Sequence, residues 1–106
     1  MFSGKISGSG RVFRNERQTA DGNKFYTYSI GFGSKRRDGG YDNANMDVRF
    51  TKDGAPTAWN VNESSGVTYA DIEIPEDGAF LTFRQYDQNG HKITRWLVQI
   101  IEWANK

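Results

Sequence analysis

Five Asp-Gly or Asn-Gly pairs divide the chain at short intervals, and this punctuation limits what the chain can fold into. The pairs are Asp21-Gly22, Asp38-Gly39, Asp53-Gly54, Asp77-Gly78 and Asn89-Gly90. Such pairs favour tight turns because both residues tolerate a positive φ, and Asn-Gly is a strong signal for a type I′ hairpin. The segments between the pairs have the length of β-strands. The sequence therefore predicts short strands joined by tight turns.

Alternating side chains support strands in several of these segments. In residues 24–32 the larger side chains recur at every second position and are expected to face the core: Tyr26, Tyr28, Ile30 and Phe32. Residues 45–51 place Met46, Val48 and Phe50 on one face and the polar side chains on the other. Further strands are expected at 2–13, at 67–74 with an end at Pro75, at 79–87 and at about 92–103. Because no segment shows helical periodicity, the pattern indicates a small closed barrel or a sandwich.

The composition fits one all-β domain over residues 1–106. The 12 glycines and the 14% aromatic residues favour a β-rich fold, and the absence of cysteine excludes disulfides and thiolate metal sites. No stretch is long and apolar enough for a secretory leader or a bilayer span, so we expect a cytoplasmic protein without membrane contact.

The net charge is only +1, but residues 1–53 hold ten Lys or Arg against six Asp or Glu (+4), and residues 54–106 hold four against seven (−3). This asymmetry is compatible with a basic face.

Several motifs occur in an order that resembles the bacterial and phage single-stranded DNA-binding proteins. These are "GRV" at 10–12, "RQTADG" at 17–22, "YSIG" at 28–31, "SKRRDGGYDNANMDVRF" at 34–50 and "LTFRQYDQNGHKIT" at 81–94. The resemblance implies a five-stranded OB-fold barrel with a long basic hairpin between strands two and three. Residues 55–66 look irregular, so an irregular segment or an extra strand is expected where the family has a short helix. Because the sequence shows no acidic tail of the kind that many bacterial members have, we expect a phage- or plasmid-type member, or a tailless relative such as a primosomal OB protein.

The resemblance implies that the protein coats single-stranded DNA in replication or recombination, as a homo-oligomer (a dimer or tetramer), without a cofactor. Replication or recombination proteins are further expected partners. Such binding needs aromatic rings that stack on bases and cations that hold phosphates. Tyr86, between Arg84 and Lys92 on the last hairpin, is the first candidate for stacking. The other candidates are Lys35, Arg36, Arg37 and Tyr41 in the basic hairpin, Arg49 and Lys52 at the end of strand three, and Trp59.

For several of these residues a purely structural role is the alternative to DNA binding. Trp59 is equally suited to close one end of the barrel as a hydrophobic plug, and Tyr86 to be a half-buried hairpin residue. Trp96 and Trp103 are expected in the core or in a subunit interface. Exposed cations are often only solvated.

An enzyme is not expected. His91 is the only histidine and cannot form a metal site without Cys or a second His, and no nucleophile-elbow, Walker or dinucleotide-binding motif is present. The alternative is a β-barrel module that binds a protein or a carbohydrate. A basic run such as residues 35–37 argues against sugar binding, since sugar platforms have little need for cations.

Overall fold

The computed structural model describes residues 2–51 and 54–106, which form seven strands and no helix. The strands are β1 (Lys5–Gln18), β2 (Lys24–Lys35), β3 (Tyr41–Phe50), β4 (Asn60–Val61), β5 (Thr68–Gln88), β6 (His91–Ile100) and β7 (Ala104–Asn105). No helix among the described residues is long and apolar enough to cross a membrane.

Five of the strands close into a barrel. The antiparallel neighbours run β3-β2-β1-β5-β6, and β6 returns to β3 as a parallel strand through Val48 to Phe50 against Val98 to Ile100. This topology is an OB-like fold, which confirms the predicted all-β barrel class. The short strands β4 and β7 both pair with β5. Residues 54–67 contain only β4, as expected for an irregular segment with an extra strand in place of the helix.

β5 is one strand where the sequence predicted two. Pro75 does not end it. The first part of the strand pairs with β1, β4 and β7, whereas the second part pairs with β6 and keeps β1 as a partner only at Ala79 and Phe80. Asp77 has a φ of 65°, and the β1 register shifts between Ile6 and Gly8 at the facing position. Paired irregularities of this kind bend a sheet sharply. The Asp77-Gly78 pair is therefore a corner of the barrel and not a hairpin turn.

Gly78 is buried at this corner, and the surrounding atoms are so close that no larger residue fits. A Cβ there would lie 2.9 Å from the carbonyl oxygen of Glu102 and 2.8 Å from Cδ of Pro75. The Gly78 carbonyl accepts hydrogen bonds from the amides of Ile101 and Glu102, at 2.8 and 3.1 Å. The chain after β6 is thereby tied to the corner in β5.

The core is a small aliphatic cluster inside the barrel. Among the described residues its members are Val12, Ile30, Val48, Ile72, Ile74, Ala79, Val98 and Ile100. The alternation predicted for strand three is confirmed, with Val48 buried and Arg49 exposed. The expectation that Tyr26 and Phe32 are core residues was wrong, because β2 extends past the barrel in both directions and leaves both rings exposed.

Two hairpins project from the barrel and position the surface described below. The radius of gyration is 15.7 Å, larger than the roughly 13 Å of a compact domain of 100 residues. One projection is the outer half of β2 and β3; the other is the outer half of β5 and β6. The second turns at Asn89-Gly90, where both φ angles are positive (51° and 81°), which confirms the tight turn predicted there.

Candidate nucleic-acid interface

An open groove of about 690 Å³ lies where the parallel strands β3 and β6 part. The two strands pair only over three residues each, and their preceding halves pair with β2 and β5 respectively. Asp47 and Arg49 on one side and Arg95 to Leu97 on the other line the gap. The groove therefore lies between the two projecting hairpins.

Arginines dominate the polar lining, and we call this surface the arginine groove. Its cations are Arg17, Arg49, Arg84 and Arg95, against a single lining carboxylate, Asp47, among the described residues. Asp47 lies 3.8 Å from the Arg95 guanidinium. Within residues 2–51 and 54–106, Arg17, Arg49 and Arg84 make no ion pair. The groove therefore has an excess of positive charge that can face an anion.

Aromatic rings form much of the apolar lining. Tyr28 and Phe50 pack edge to face, with ring centroids 5.3 Å apart, and together they form part of the wall next to the core. Tyr26 and Trp96 line more exposed parts of the groove. The Arg14 guanidinium lies 4.3 Å from the Tyr26 ring centroid, a cation–π contact that covers part of that ring.

Tyr86 lies on the same hairpin face as Arg84, two residues nearer the turn. Side chains alternate along a strand, so Arg84 and Tyr86 share a face with their cross-strand partners Arg95 and Ile93. The Tyr86 ring is 39% exposed and does not itself line the groove. The sequence-predicted residues Arg49, Arg84 and Tyr86 are thus brought to one connected surface.

Lys92 is not part of that surface. It pairs with Asp87 across the hairpin, so its side chain leaves on the face opposite Tyr86. Lys92 does not line the arginine groove, and its predicted contact with DNA stays a prediction.

The basic finger, residues 35–41, lies apart from the groove at the tip of the β2–β3 hairpin. Asp47, the first groove-lining residue of β3, lies six positions after Tyr41, which corresponds to about 20 Å of extended strand. The Arg36 guanidinium lies 3.4 Å from carboxylate oxygens of both Asp38 and Asp42, so its charge is largely compensated within the finger. Lys35 and Arg37 are exposed, and Tyr41 is 61% exposed.

Trp59 is half-buried against the core, a placement that favours the plug among its two predicted roles. Its ring stacks on Tyr28 with centroids 5.8 Å apart and an interplanar angle of 19°. The Arg14 guanidinium lies 5.1 Å from the Trp59 ring centroid, and the indole N–H donates to the Pro56 carbonyl at 2.7 Å. The contacts with Tyr28 and Arg14 therefore occupy part of its flat surface. Lys52, also predicted to bind DNA, lies outside the described residues.

The structure adds site residues that sequence reasoning missed. Trp96 was expected in the core or an interface, yet it is 51% exposed and lines the arginine groove together with Arg17 and Arg95. Trp103, by contrast, is half-buried against Phe50, and its indole N–H donates to the Gly54 carbonyl at 3.2 Å. The available signal for Trp96 was its place between Arg95 and Leu97, six residues after Gly90, where a hairpin extends beyond the core.

Arg11 and Asp71 form a separate ion pair on the β1–β5 surface, with Nε 2.9 Å from Oδ1. The hydrogen bond from Arg11 holds the pKa of Asp71 below its ordinary value and raises the pKa of Arg11. The Arg11 guanidinium also lies 3.9 Å from the Tyr69 ring centroid. This cation is therefore engaged in local contacts, unlike Arg17, Arg49 and Arg84, which make no ion pair among the described residues.

The groove combines uncompensated guanidinium groups with aromatic rings, which suits a ligand that carries both anionic and flat apolar parts. In the part of the chain that the structure describes, no group of three or more His, Asp or Glu side chains is placed to hold a metal ion. Comparisons with protein-family models, with curated proteins and with solved structures found no match to this chain.

Proposed function

We propose that this protein binds single-stranded DNA without sequence preference. The observation that carries the proposal is the arginine groove, where, among the described residues, four guanidinium groups and several aromatic rings meet one lining carboxylate. Guanidinium groups bind phosphate oxygens in a bidentate manner, and aromatic rings stack on any base. Both contacts are independent of base identity.

The position of the groove on the barrel also supports the proposal. OB-folds bind oligonucleotides on the face around strands two and three and the loops beside it. The arginine groove uses β2, β3 and the β5–β6 hairpin. The motifs that resemble single-stranded DNA-binding proteins contribute to the same three elements. A role in coating exposed strands during replication or recombination follows from that resemblance, and the expected homo-oligomer stays a prediction.

Binding assays with single- and double-stranded DNA test the proposal directly. We expect the protein to retard a labelled oligo(dT) strand at low salt, with much weaker retardation of a duplex of equal length, because the bases of a duplex are not available for stacking. Raising the salt should weaken binding steeply, since phosphate contacts release counterions.

Equal binding to both DNA forms would point to a general polyanion site. An absence of binding at low salt would remove the proposed function. A salt-insensitive interaction with an oligosaccharide or a peptide would favour the alternative binding module.

A further inference from the structure

Phe83 and Trp96 form an exposed aromatic pair on the projecting β5–β6 hairpin. They are directly opposite in the ladder, with ring centroids 5.1 Å apart and an interplanar angle of 52°. Both rings are more than half exposed, at 55% and 51%. Such a pair loses part of the stabilisation that burial of large rings normally provides.

The pair continues the inward-facing row of the barrel out into solvent. On the same hairpin face, Leu81 lies opposite Val98, and Ala79 lies opposite Ile100 in the buried core. Beyond the core the next residues of this row are Phe83 and Trp96. Polar residues would be acceptable at these two positions, because neither is buried. Within the described barrel, no packing contact covers the outer surface of these two rings.

The positive charge around these two rings indicates what kind of partner fits them. Trp96 lines the arginine groove, with Arg84 and Arg95 adjacent to the pair in sequence. Arg49, which makes no ion pair within residues 2–51 and 54–106, lies on the facing strand. A second copy of this chain docked symmetrically on the same patch would bring two arginine-rich surfaces together, which is unfavourable. A single strand presents a flat base and a phosphate within one nucleotide and matches both features.

We infer that Phe83 and Trp96 form a base-stacking platform, with Trp96 stacking on a nucleobase whose phosphate contacts the arginine groove. This inference rests on the proposed function and assigns binding residues within it. The platform lies on the hairpin face opposite Tyr86, because Phe83 and Tyr86 differ by an odd number of positions. The bound strand would therefore pass along the open edge of β6, where side chains of both faces are reached.

Intrinsic tryptophan fluorescence provides a direct readout. The chain has three tryptophans, and Trp59 and Trp103 are half-buried with their indole N–H groups bonded to carbonyls. We expect oligo(dT) of about 16 nucleotides, the upper end of OB-fold site sizes, to quench the emission of the wild-type protein. Trp96→Phe should remove most of this quenching while the retained ring keeps the affinity near wild type.

Affinity measurements with a labelled oligo(dT) complete the test. Trp96→Ala and Phe83→Ala should each raise Kd about tenfold, equivalent to about 1.4 kcal/mol, with circular dichroism unchanged. Ile101→Ala is the matched control, since Ile101 is an exposed apolar residue of a different surface, beside Pro75 and Trp103. Its Kd should equal that of the wild type.

The outcomes separate the platform from the proposed function. Binding without quenching, together with an unchanged Kd for Trp96→Ala, overturns the platform and leaves the proposed function standing. If Trp96→Ala or Phe83→Ala changes the oligomeric state in sedimentation but leaves Kd unchanged, the pair belongs to a contact between copies of the chain. This result also overturns the platform. An absence of oligo(dT) binding by the wild type removes both.

Discussion

At the scale of single residues, a cation is available to bind phosphate only where no carboxylate already pairs with it. Arg36 belongs to the densest basic run, yet Asp38 and Asp42 compensate its charge. Arg49 stands alone in the sequence and has no ion pair among the described residues, but it lines a groove with three other arginines. Charge density along the chain therefore identified the finger, whereas the arginine groove depends on residues distant in sequence.

Tyr86 is the residue whose contribution to stacking is most readily isolated. Tyr86→Ala should weaken oligo(dT) binding by about 1–3 kcal/mol, the range for loss of one base–aromatic stack. Fluorescence anisotropy of a labelled oligo(dT) gives the affinity. Tyr86→Phe is the matched control and should retain it, because the ring remains. Equal affinities for wild type and Tyr86→Ala would exclude Tyr86 from the bound surface.

The Arg11–Asp71 pair predicts a pH dependence of stability. The lowered pKa of Asp71 means that its carboxylate is stabilised in the folded state, so its contribution is present above the unfolded pKa of about 3.9 and is lost as the pH falls through the lower folded pKa. Urea unfolding should show Asp71→Asn less stable than wild type near neutral pH. The difference in free energy of unfolding should shrink in strong acid. A difference that is constant with pH would contradict the ion pair.

At the scale of the elements, alternation predicted strands well but not where they leave the core. The outward position of Arg49 followed from the period of two in β3, whereas Tyr26 and Phe32 were expected in the core and are exposed. Trp96, expected in the core or in a subunit interface, is exposed in the single chain. Periodicity indicates which face a side chain occupies, but it does not indicate where along a strand the partner layer ends. Both projecting hairpins lie beyond that end, and the missed site residues are on them.

The break predicted at Pro75 has the same kind of cause. Proline and an Asx-Gly pair favour a turn locally, but they also fit a bulged corner within a continuous strand. The choice between the two depends on the long-range pairing of β5 with β1. That pairing is not visible in the local sequence.

Gly78 provides a test of this corner. Gly78→Ala should lower the free energy of unfolding by about 1–3 kcal/mol, the usual cost of overpacking, because the added Cβ would press on the Glu102 carbonyl. Gly10→Ala is the control: Gly10 lies in β1, its Cβ position is open, and its φ is not positive. Chemical denaturation of both variants checks this. Equal stabilities for the two would contradict the close packing at Gly78.

At the scale of the whole molecule, the barrel brings together what the chain keeps apart. Arg17 on β1, Arg49 on β3 and Arg84 on β5 reach one groove because the ring of strands closes through β1–β5 and β3–β6. The order of turns and strands was sufficient to predict an OB-like barrel. The composition of the groove required the closed barrel, since the groove lies where β3 and β6 are separated, on the N-terminal side of their short parallel ladder.

The salt dependence of oligo(dT) binding tests most directly whether the arginine groove holds the phosphates. The double variant Arg49→Ala/Arg84→Ala should reduce the magnitude of the slope of log K against log salt by about 1.4, since each single-strand phosphate contact contributes roughly 0.7. Lys5→Ala/Arg11→Ala removes the same charge from outside the groove and should leave the slope at its wild-type value. An unchanged slope for the groove variant, or an equal reduction in both variants, would contradict phosphate binding in the arginine groove.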